Sequence, residues 1–178
     1  MPDHVVAATF GKQMNLKTSA PDTLLVFTEG GILCALPASA VQEVVFLPEL
    51  SRPPGMPSIL EGMMTLDGAP VPVLRVARLL GLPASPTGIY TPVMILKNAK
   101  AALAVESMDD IYRLSAKDMV KAKPGLAFND CLMGEVRLKE RVVHVLSVDR
   151  LLLTEEKRRV EEFKTVVLAR LSGDGAQP

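Results

Sequence analysis

The stretch that decides the fold is LEGMMTLDGAPVPVLRVARLL, residues 60–80, and a similar stretch, LMGEVRLKERVVHVLSVDRLL, occupies residues 132–152. Aligned without a gap, the two stretches share ten of 21 residues. Agreement this dense indicates an internal duplication. Each copy has the pattern of a strand, a turn, a second strand and a short helical tail. The shared pairs are Leu60/Leu132, Gly62/Gly134, Leu66/Leu138, Val71/Val143, Val73/Val145, Leu74/Leu146, Val76/Val148, Arg78/Arg150, Leu79/Leu151 and Leu80/Leu152.

Outward from these stretches, the pattern predicts two modules of five short strands each. In the first module we predict strands at about 24–28, 32–36, 41–46, 62–66 and 70–75. The second module repeats the order after the linker GLPASPTG, with strands that include 108–113, 132–138 and 141–146. Short strands at close spacing favour small barrels, and closure removes exposed sheet edges. The fold class is therefore mostly β, with barrel one at about 23–80 and barrel two at about 90–153.

The two ends of the chain have different patterns. Residues 1–22 show no sustained period and are predicted to be a mobile or loosely docked arm. Residues 155–171 are predicted to form a C-terminal helix with Thr154 as its N-cap, packed back on a barrel by an apolar stripe. Residues 172–178 are predicted to be a frayed tail. The stripe consists of Val160, Phe163, Val167 and Leu171.

Composition excludes several classes of function. Twenty basic and 20 acidic residues give a formal net charge of +0, so no nucleic-acid partner is indicated, and aromatic residues are only 4% of the chain. The N-terminus lacks the pattern of a secretory leader, and no apolar run has the length of a membrane span. We expect a soluble cytoplasmic protein without direct membrane insertion.

No residue pattern indicates catalysis, a cofactor or a metal site. Asp109 and Asp110 are adjacent on a predicted strand and point to opposite faces, and His144 is predicted to face outward from its strand. Cys34 and Cys131 lack metal-ligand spacing and are predicted to be buried thiols. We therefore favour a protein that works by binding. Two alternatives remain: an enzyme with a cysteine nucleophile, and a small-ligand sensor with a cavity between the barrels.

Residues 23–154 resemble the CheW-like domain, an adaptor of bacterial chemosensory arrays. The matching blocks are LLVFTEGGILCALP, VQEVV at 41–45, the Pro-rich loop PELSRPPGMPS, AALAVESMDDIYRLS and ILEGMMTLDGAPVPVLRVARLLG. In the last block the family commonly has the pattern G-x-x-x-L-R-G-x-x-x-P, two hydrophobic residues, then D-L. The resemblance implies two SH3-like barrels on a shared apolar core. It also implies a non-catalytic adaptor that joins a chemoreceptor cytoplasmic tip to the regulatory domain of a CheA-type histidine kinase.

By position, the resemblance also implies a receptor-facing groove between the barrels, while barrel ends pair with the kinase. The groove residues would be Val41, Glu43, Gly62, Leu66, Asp67, Gly68, Val105 and Glu106. Asp67 stands where the family commonly has Arg, and Glu106 where it often has Asp. The reversed charge at Asp67 either redirects partner choice or reflects the preference of a two-residue turn for Asp-Gly. A further alternative is thus a divergent scaffold that binds the kinase, or another signalling partner, without ordinary receptor coupling. Pro70 and Pro72 predict a strand that is an edge or pairs on one side only.

Overall fold

The computed structural model describes residues 14–15, 23–97, 101–115, 118–121, 128, 130–156, 159, 162 and 169. Within these residues the chain forms twelve strands and two short α-helices. The strands are β1 (Met14–Asn15), β2 (Thr23–Glu29), β3 (Ile32–Pro37), β4 (Val41–Phe46), β5 (Leu60–Leu66), β6 (Ala69–Arg75), β7 (Pro92–Leu96), β8 (Ala102–Ala104), β9 (Ser107–Arg113), β10 (Met119–Lys121), β11 (Leu132–Leu138) and β12 (Arg141–Leu146). The helices are α1 (Val76–Leu80) and the C-terminal α2, whose described residues are 148–156, 159, 162 and 169, and a 3-10 turn covers Ala38–Ala40.

The strands form two six-stranded sheets that both draw on the two repeats. Sheet 1 has the order β1-β4-β7-β8-β6-β5, and sheet 2 has the order β10-β11-β12-β3-β2-β9. The β2–β3 hairpin of the first repeat thus lies between β9 and β12 of the second. Reciprocally, the β7–β8 hairpin lies between β4 and β6 of the first. The parallel pairs β3–β12 and β6–β8 complete this exchange.

This arrangement divides the chain differently from the predicted barrels at about 23–80 and 90–153. The strands themselves lie where the pattern predicts them, but each repeat contributes its first hairpin to the other sheet. Both exchanged hairpins contain a continuous apolar strand, β2 or β7, so their pattern does not specify which sheet each one joins. Alternation predicts which face of a strand is buried, and it does not specify the neighbouring strand.

Three apolar cores hold the sheets together. One lies inside sheet 1 and contains Met64, Val71, Val73, Val93, Ile95, Ala102 and Ala104. Another lies inside sheet 2 and contains Leu24, Val26, Ala35, Val136, Val143 and Val145. The largest is a shared core to which both sheets contribute, and it includes Leu25, Phe27, Leu36, Leu74, Met94, Leu103, Leu146 and Leu151. Strand β2 is buried on both faces because its alternate residues belong to two of these cores, which explains its continuous apolar run.

The two shared glycines occupy equivalent bulges. The register of β5 against β6 shifts between Leu60 and Gly62, and that of β11 against β12 shifts between Leu132 and Gly134. A Cβ added at Gly62 would lie 2.7 Å from Leu50 Cβ, and one at Gly134 would lie 2.8 Å from the carbonyl oxygen of Val120. Glycine is required at both positions because another chain segment approaches the backbone there.

The C-terminal helix begins earlier than predicted. Helical structure starts at residue 148, and Ser147 Oγ accepts a bond of 3.4 Å from the backbone N–H of Arg150. The prediction of Thr154 as N-cap is wrong, because Thr154 lies inside the helix and its hydroxyl donates to the carbonyl of Arg150 at 2.9 Å. Ser58 donates to Glu162 from both its N–H and its hydroxyl, so the helix packs on the first repeat. The predicted apolar stripe and the tail lie outside the described residues.

Two short strands, β1 and β10, extend the edges of the two sheets. In the arm, Met14 and Asn15 pair with Val44 and Glu43 of β4. Between the predicted strands at 108–113 and 132–138 the structure contains the short strand β10, which pairs with β11. The first half of β6, which carries both prolines, pairs only with β5 within the described residues, because pairing with β8 begins at Val73. Pairing on one side is what the missing N–H groups of proline require.

Candidate partner-binding site

Three of the eight predicted site residues are buried. Val41 and Val105 are 0% exposed and belong to the shared core. Gly62 is buried beneath Leu50 and Ser51. In the folded protein these residues shape the surface from below and do not themselves present atoms to a partner.

Asp67 and Gly68 form the exposed turn between β5 and β6, while Leu66 ends β5 and packs half-buried against the core of sheet 1. Asp67 has φ 49° and Gly68 has φ 80°, so both central residues are in the left-handed region. This conformation favours Asp-Gly and disfavours Arg. The turn geometry therefore accounts for Asp67 without a partner, and it leaves the carboxylate on the surface.

Glu106 lies at the junction between the two sheets and is held by the turn after β2. Its backbone N–H donates to Glu29 Oε1 at 2.9 Å, and its carboxylate Oε2 accepts from the N–H of Gly30 at 2.8 Å. The main chain and the side chain of Glu106 are thus both bound to the same turn, while the residue as a whole stays exposed. Sequence analysis identified Glu106 but not this reciprocal pair of bonds.

Glu29 and Arg75 are charged residues that sequence analysis missed, and each is only 1% exposed. Burial raises the pKa of Glu29 from 4.5 to about 7, opposed by the hydrogen bond from Glu106 and by the positive charge of Arg75. Arg75 Nη2 donates to the carbonyl of Ser85 in the linker at 2.6 Å. The burial of Arg75 was predictable from the sequence, because Arg75 follows Val71 and Val73 at every second position of β6 and shares their buried face. It also stands where the quoted family pattern has Asp, which makes a second charge reversal.

Glu43 lies apart from both features. It is half-buried on β4, where it pairs with Ile95 of β7 on one side and with Asn15 of β1 on the other. The main-chain groups of β4 at this position are therefore engaged by the sheet and by the arm.

The exposed site residues lie at two ends of sheet 1. Asp67 and Gly68 precede the first residue of β6, whereas the last residue, Arg75, pairs with Ala104 two residues before Glu106. A strand of seven residues spans roughly 20 Å. The structure therefore does not bring the predicted residues into one groove. It forms a hairpin end, residues 66–68, and a junction end at Glu106.

The residues considered for catalysis lie beside opposite charges or in the apolar core. The side chain of His144 is 22% exposed, less open than predicted, with Nδ1 3.3 Å from Glu135 Oε1 and its ring against Phe128. Asp109 forms an ion pair with Arg141 at 3.2 Å. Cys34 and Cys131 are 0% exposed, and burial, followed by the charge of Glu29, raises the pKa of Cys34 to about 12. Among the described residues no group of His, Cys, Asp or Glu is arranged to hold a metal, and no described helix is long and apolar enough to cross a membrane.

A cleft of about 370 Å³ opens where α2 meets the first repeat. Its polar lining side chains are Ser39, Lys97, Ser147 and Asp149. Ser147, which lines this cleft, is a small residue at the repeat position equivalent to the buried Arg75. This cleft is the place where the small-ligand alternative can be tested, by a thermal-shift screen of metabolites against the wild-type protein and Ser147→Arg.

The domain thus consists of two β-sheets on a shared core, with exposed carboxylates at both ends of one sheet. The sequence profile of the CheW-like domain matches residues 23–156, and the chain belongs to that family of chemotaxis scaffold domains. Among 15 matching solved chains is the scaffolding protein TtCheW from Thermoanaerobacter tengcongensis, with a TM-score of 0.67 and 19% identity over 74% of this chain and 92% of that chain. This likeness confirms the predicted SH3-like, mostly β fold. A search of curated protein sequences gave no significant match.

Proposed function

We propose that this chain is a cytoplasmic, non-catalytic adaptor that couples chemoreceptors to a CheA-type histidine kinase. Membership of the CheW-like family supports the general role in chemotaxis signalling. The observation that carries the finer proposal is the separation of the exposed candidate residues into two ends of sheet 1. An adaptor that joins two proteins needs two surfaces, and contact at both ends of one rigid sheet transmits a displacement between the partners.

Each end suits one partner. The junction end lies between the sheets, where Glu106 presents a carboxylate fixed by Gly30, so we assign it to the receptor tip. The hairpin end is a free end of sheet 1 with an exposed charged turn, so we assign it to the regulatory domain of the kinase. The reversed charge at Asp67 then selects a kinase surface complementary to a carboxylate.

Isothermal titration against both partners from the same organism tests this assignment. The wild-type protein is expected to bind a receptor-tip fragment and the kinase regulatory domain. Glu106→Gln should weaken only the receptor tip, by about tenfold, because one fixed charge is lost. Asp67→Arg should weaken only the kinase domain.

Asp67→Asn is the matched control for the turn, since Asn keeps the left-handed conformation and removes the charge. If Asp67→Asn binds normally and Asp67→Arg does not, the loss arises from the turn or from the added cation and not from the missing carboxylate. Binding to the kinase domain without binding to any receptor tip would establish the divergent scaffold instead. The absence of binding to both would contradict the adaptor proposal.

A further inference from the structure

Charged residues from three parts of the chain meet at the junction, and two of them, Glu29 and Arg75, are buried. Glu29 ends β2, Arg75 ends β6, and Glu106 follows β8. Through Ser85 the linker between the repeats is attached to the same group. The junction therefore joins both sheets and the linker at one point.

Arg75 occupies a position where its local structure favours another residue. It is the N-cap of α1, and no side-chain bond caps that helix. At the equivalent position of the second repeat, Ser147 caps α2 through its bond with the Arg150 N–H. Ser, Thr, Asp and Asn are preferred at N-caps because they satisfy free backbone donors. Arg75 makes no such capping hydrogen bond, so its contribution is to the buried junction and not to the helix.

The positive charge of Arg75 partly offsets the cost of burying the Glu29 carboxylate. An ionised carboxylate that is 1% exposed is costly unless a cation and hydrogen bonds compensate it. Glu29 receives the Glu106 N–H at 2.9 Å. The charge of Arg75 favours the ionised form of Glu29, while the charge of the Glu106 carboxylate opposes it. A charged acceptor holds the Glu106 N–H more strongly than a neutral one, so ionised Glu29 fixes Glu106 more firmly than protonated Glu29 does.

We propose that Glu29 and Arg75 are positioning residues that act as one charge-balanced unit to fix the Glu106 carboxylate for a basic side chain of the partner. This inference rests on the proposed function for its partner, but the unit itself is a property of the free protein. Burial raises the pKa of Glu29 to about 7, and its carboxylate accepts the Glu106 N–H, so we expect Glu106 to be held more firmly above pH 7 than below it. A partner cation at Glu106 favours ionised Glu29, so partner binding and ionisation reinforce each other.

The first arm of the test uses the protein without a partner. Arg75→Met should lower the thermal midpoint more at pH 8, where Glu29 is charged, than at pH 5.5, where it is protonated. Glu29→Gln/Arg75→Met should recover much of the loss at pH 8. Amide hydrogen exchange at Glu106 should be faster in Glu29→Gln than in the wild type. If the stability changes of Glu29→Gln and Arg75→Met simply add in the double variant, and hydrogen exchange at Glu106 is unchanged in Glu29→Gln, the charge-balanced unit is overturned.

The second arm measures binding of the receptor-tip fragment between pH 6 and pH 8. Wild-type affinity should rise about threefold to tenfold over this interval, as expected for one linked proton. Glu29→Gln should show a flat profile, while kinase-domain binding should stay unchanged in both proteins. A residue that is merely structural would not remove the pH dependence. If the wild type does not bind the receptor tip, the proposed function fails. The stability and exchange measurements of the first arm still show whether Glu29 and Arg75 act together in the free protein. A sloping profile that persists in Glu29→Gln refutes the positioning role.

Discussion

Arg78 and Arg150 occupy equivalent places in the two repeats, and each donates to the carbonyl of the residue 20 positions before it. Arg78 Nη1 lies 3.1 Å from the oxygen of Ser58, and Arg150 Nη1 lies 3.2 Å from that of Asp130. Arg150 also donates to Leu132 at 3.1 Å. These bonds connect each helix to the segment that enters the preceding hairpin, so the two arginines are preserved between repeats for the same structural reason.

Arg150→Met is expected to lower the free energy of unfolding by about 1–2 kcal/mol, because two carbonyls lose their donor. Arg150→Lys should restore little of this loss, since a single ammonium lacks the planar fork that serves two acceptors. Chemical denaturation of both variants measures the effect. Full rescue by Lys would show that charge alone matters here.

Gly62→Ala is expected to destabilise the fold by about 1–3 kcal/mol, because the new methyl group would lie 2.7 Å from Leu50 Cβ. Gly88→Ala is the matched control, since nothing lies within 4 Å of a Cβ at that position. Urea unfolding of the two variants makes the comparison. Equal stability of the two variants would show that the Leu50 segment moves aside without cost.

The two hairpin turns differ in how well their residues suit them. Lys139 and Glu140 have φ values of 46° and 67°, the same conformation as Asp67 and Gly68. The double substitution Lys139→Asn with Glu140→Gly should therefore raise the thermal midpoint, with a gain of about 1 kcal/mol. The reverse exchange, Asp67→Lys with Gly68→Glu, should lower it. Both turns responding with the same sign would contradict this explanation.

Stability should fall as the pH rises through neutrality. The folded-state pKa of Glu29 is raised from 4.5 to about 7, so its contribution is complete below pH 4.5 and is lost above about pH 7. The loss amounts to about 3 kcal/mol. Burial also raises the pKa of Glu155, so the wild-type slope contains both groups.

Glu29→Gln isolates the first contribution, and its thermal midpoint should change less between pH 5.5 and pH 8 than that of the wild type. Glu49→Gln, at an exposed loop position, serves as control and should retain the full slope. An identical slope in wild type and Glu29→Gln would mean that Glu29 is already ionised at low pH.

Neither cysteine should react quickly with a maleimide in the native protein. Both are buried, and the pKa of Cys34 is raised to about 12, so almost no thiolate exists at neutral pH. Labelling should become rapid for both only on unfolding in denaturant. Rapid labelling of one cysteine in the native protein would support the alternative of an enzyme with a cysteine nucleophile.

The strands were predictable from alternation and turn residues, as β4 at 41–46 illustrates, because burial of one face imposes a period of two. The exchange of hairpins was not, because the continuous apolar strand in each exchanged hairpin does not specify which sheet the hairpin joins. The start of α2 was misplaced since Ser147 and Thr154 are both acceptable N-caps, and only packing distinguishes them. The hydrogen bond from the Glu106 N–H to Glu29 joins the two repeats and depends on the exchange, so no local sequence pattern could indicate it.

The exchanged hairpins mean that neither repeat contains a complete sheet of its own. A chain with a single repeat could complete its sheet only by trading hairpins with a second copy, as in a domain-swapped homodimer with a twofold axis. The present molecule has the architecture of such a dimer fused through the 81–88 linker. The two halves differ at one pair of equivalent positions, because Arg75 is buried in one half and donates to the Ser85 carbonyl, while Ser147 borders an open cleft in the other. The two halves of a once symmetric interface thereby acquire different surfaces for different neighbours.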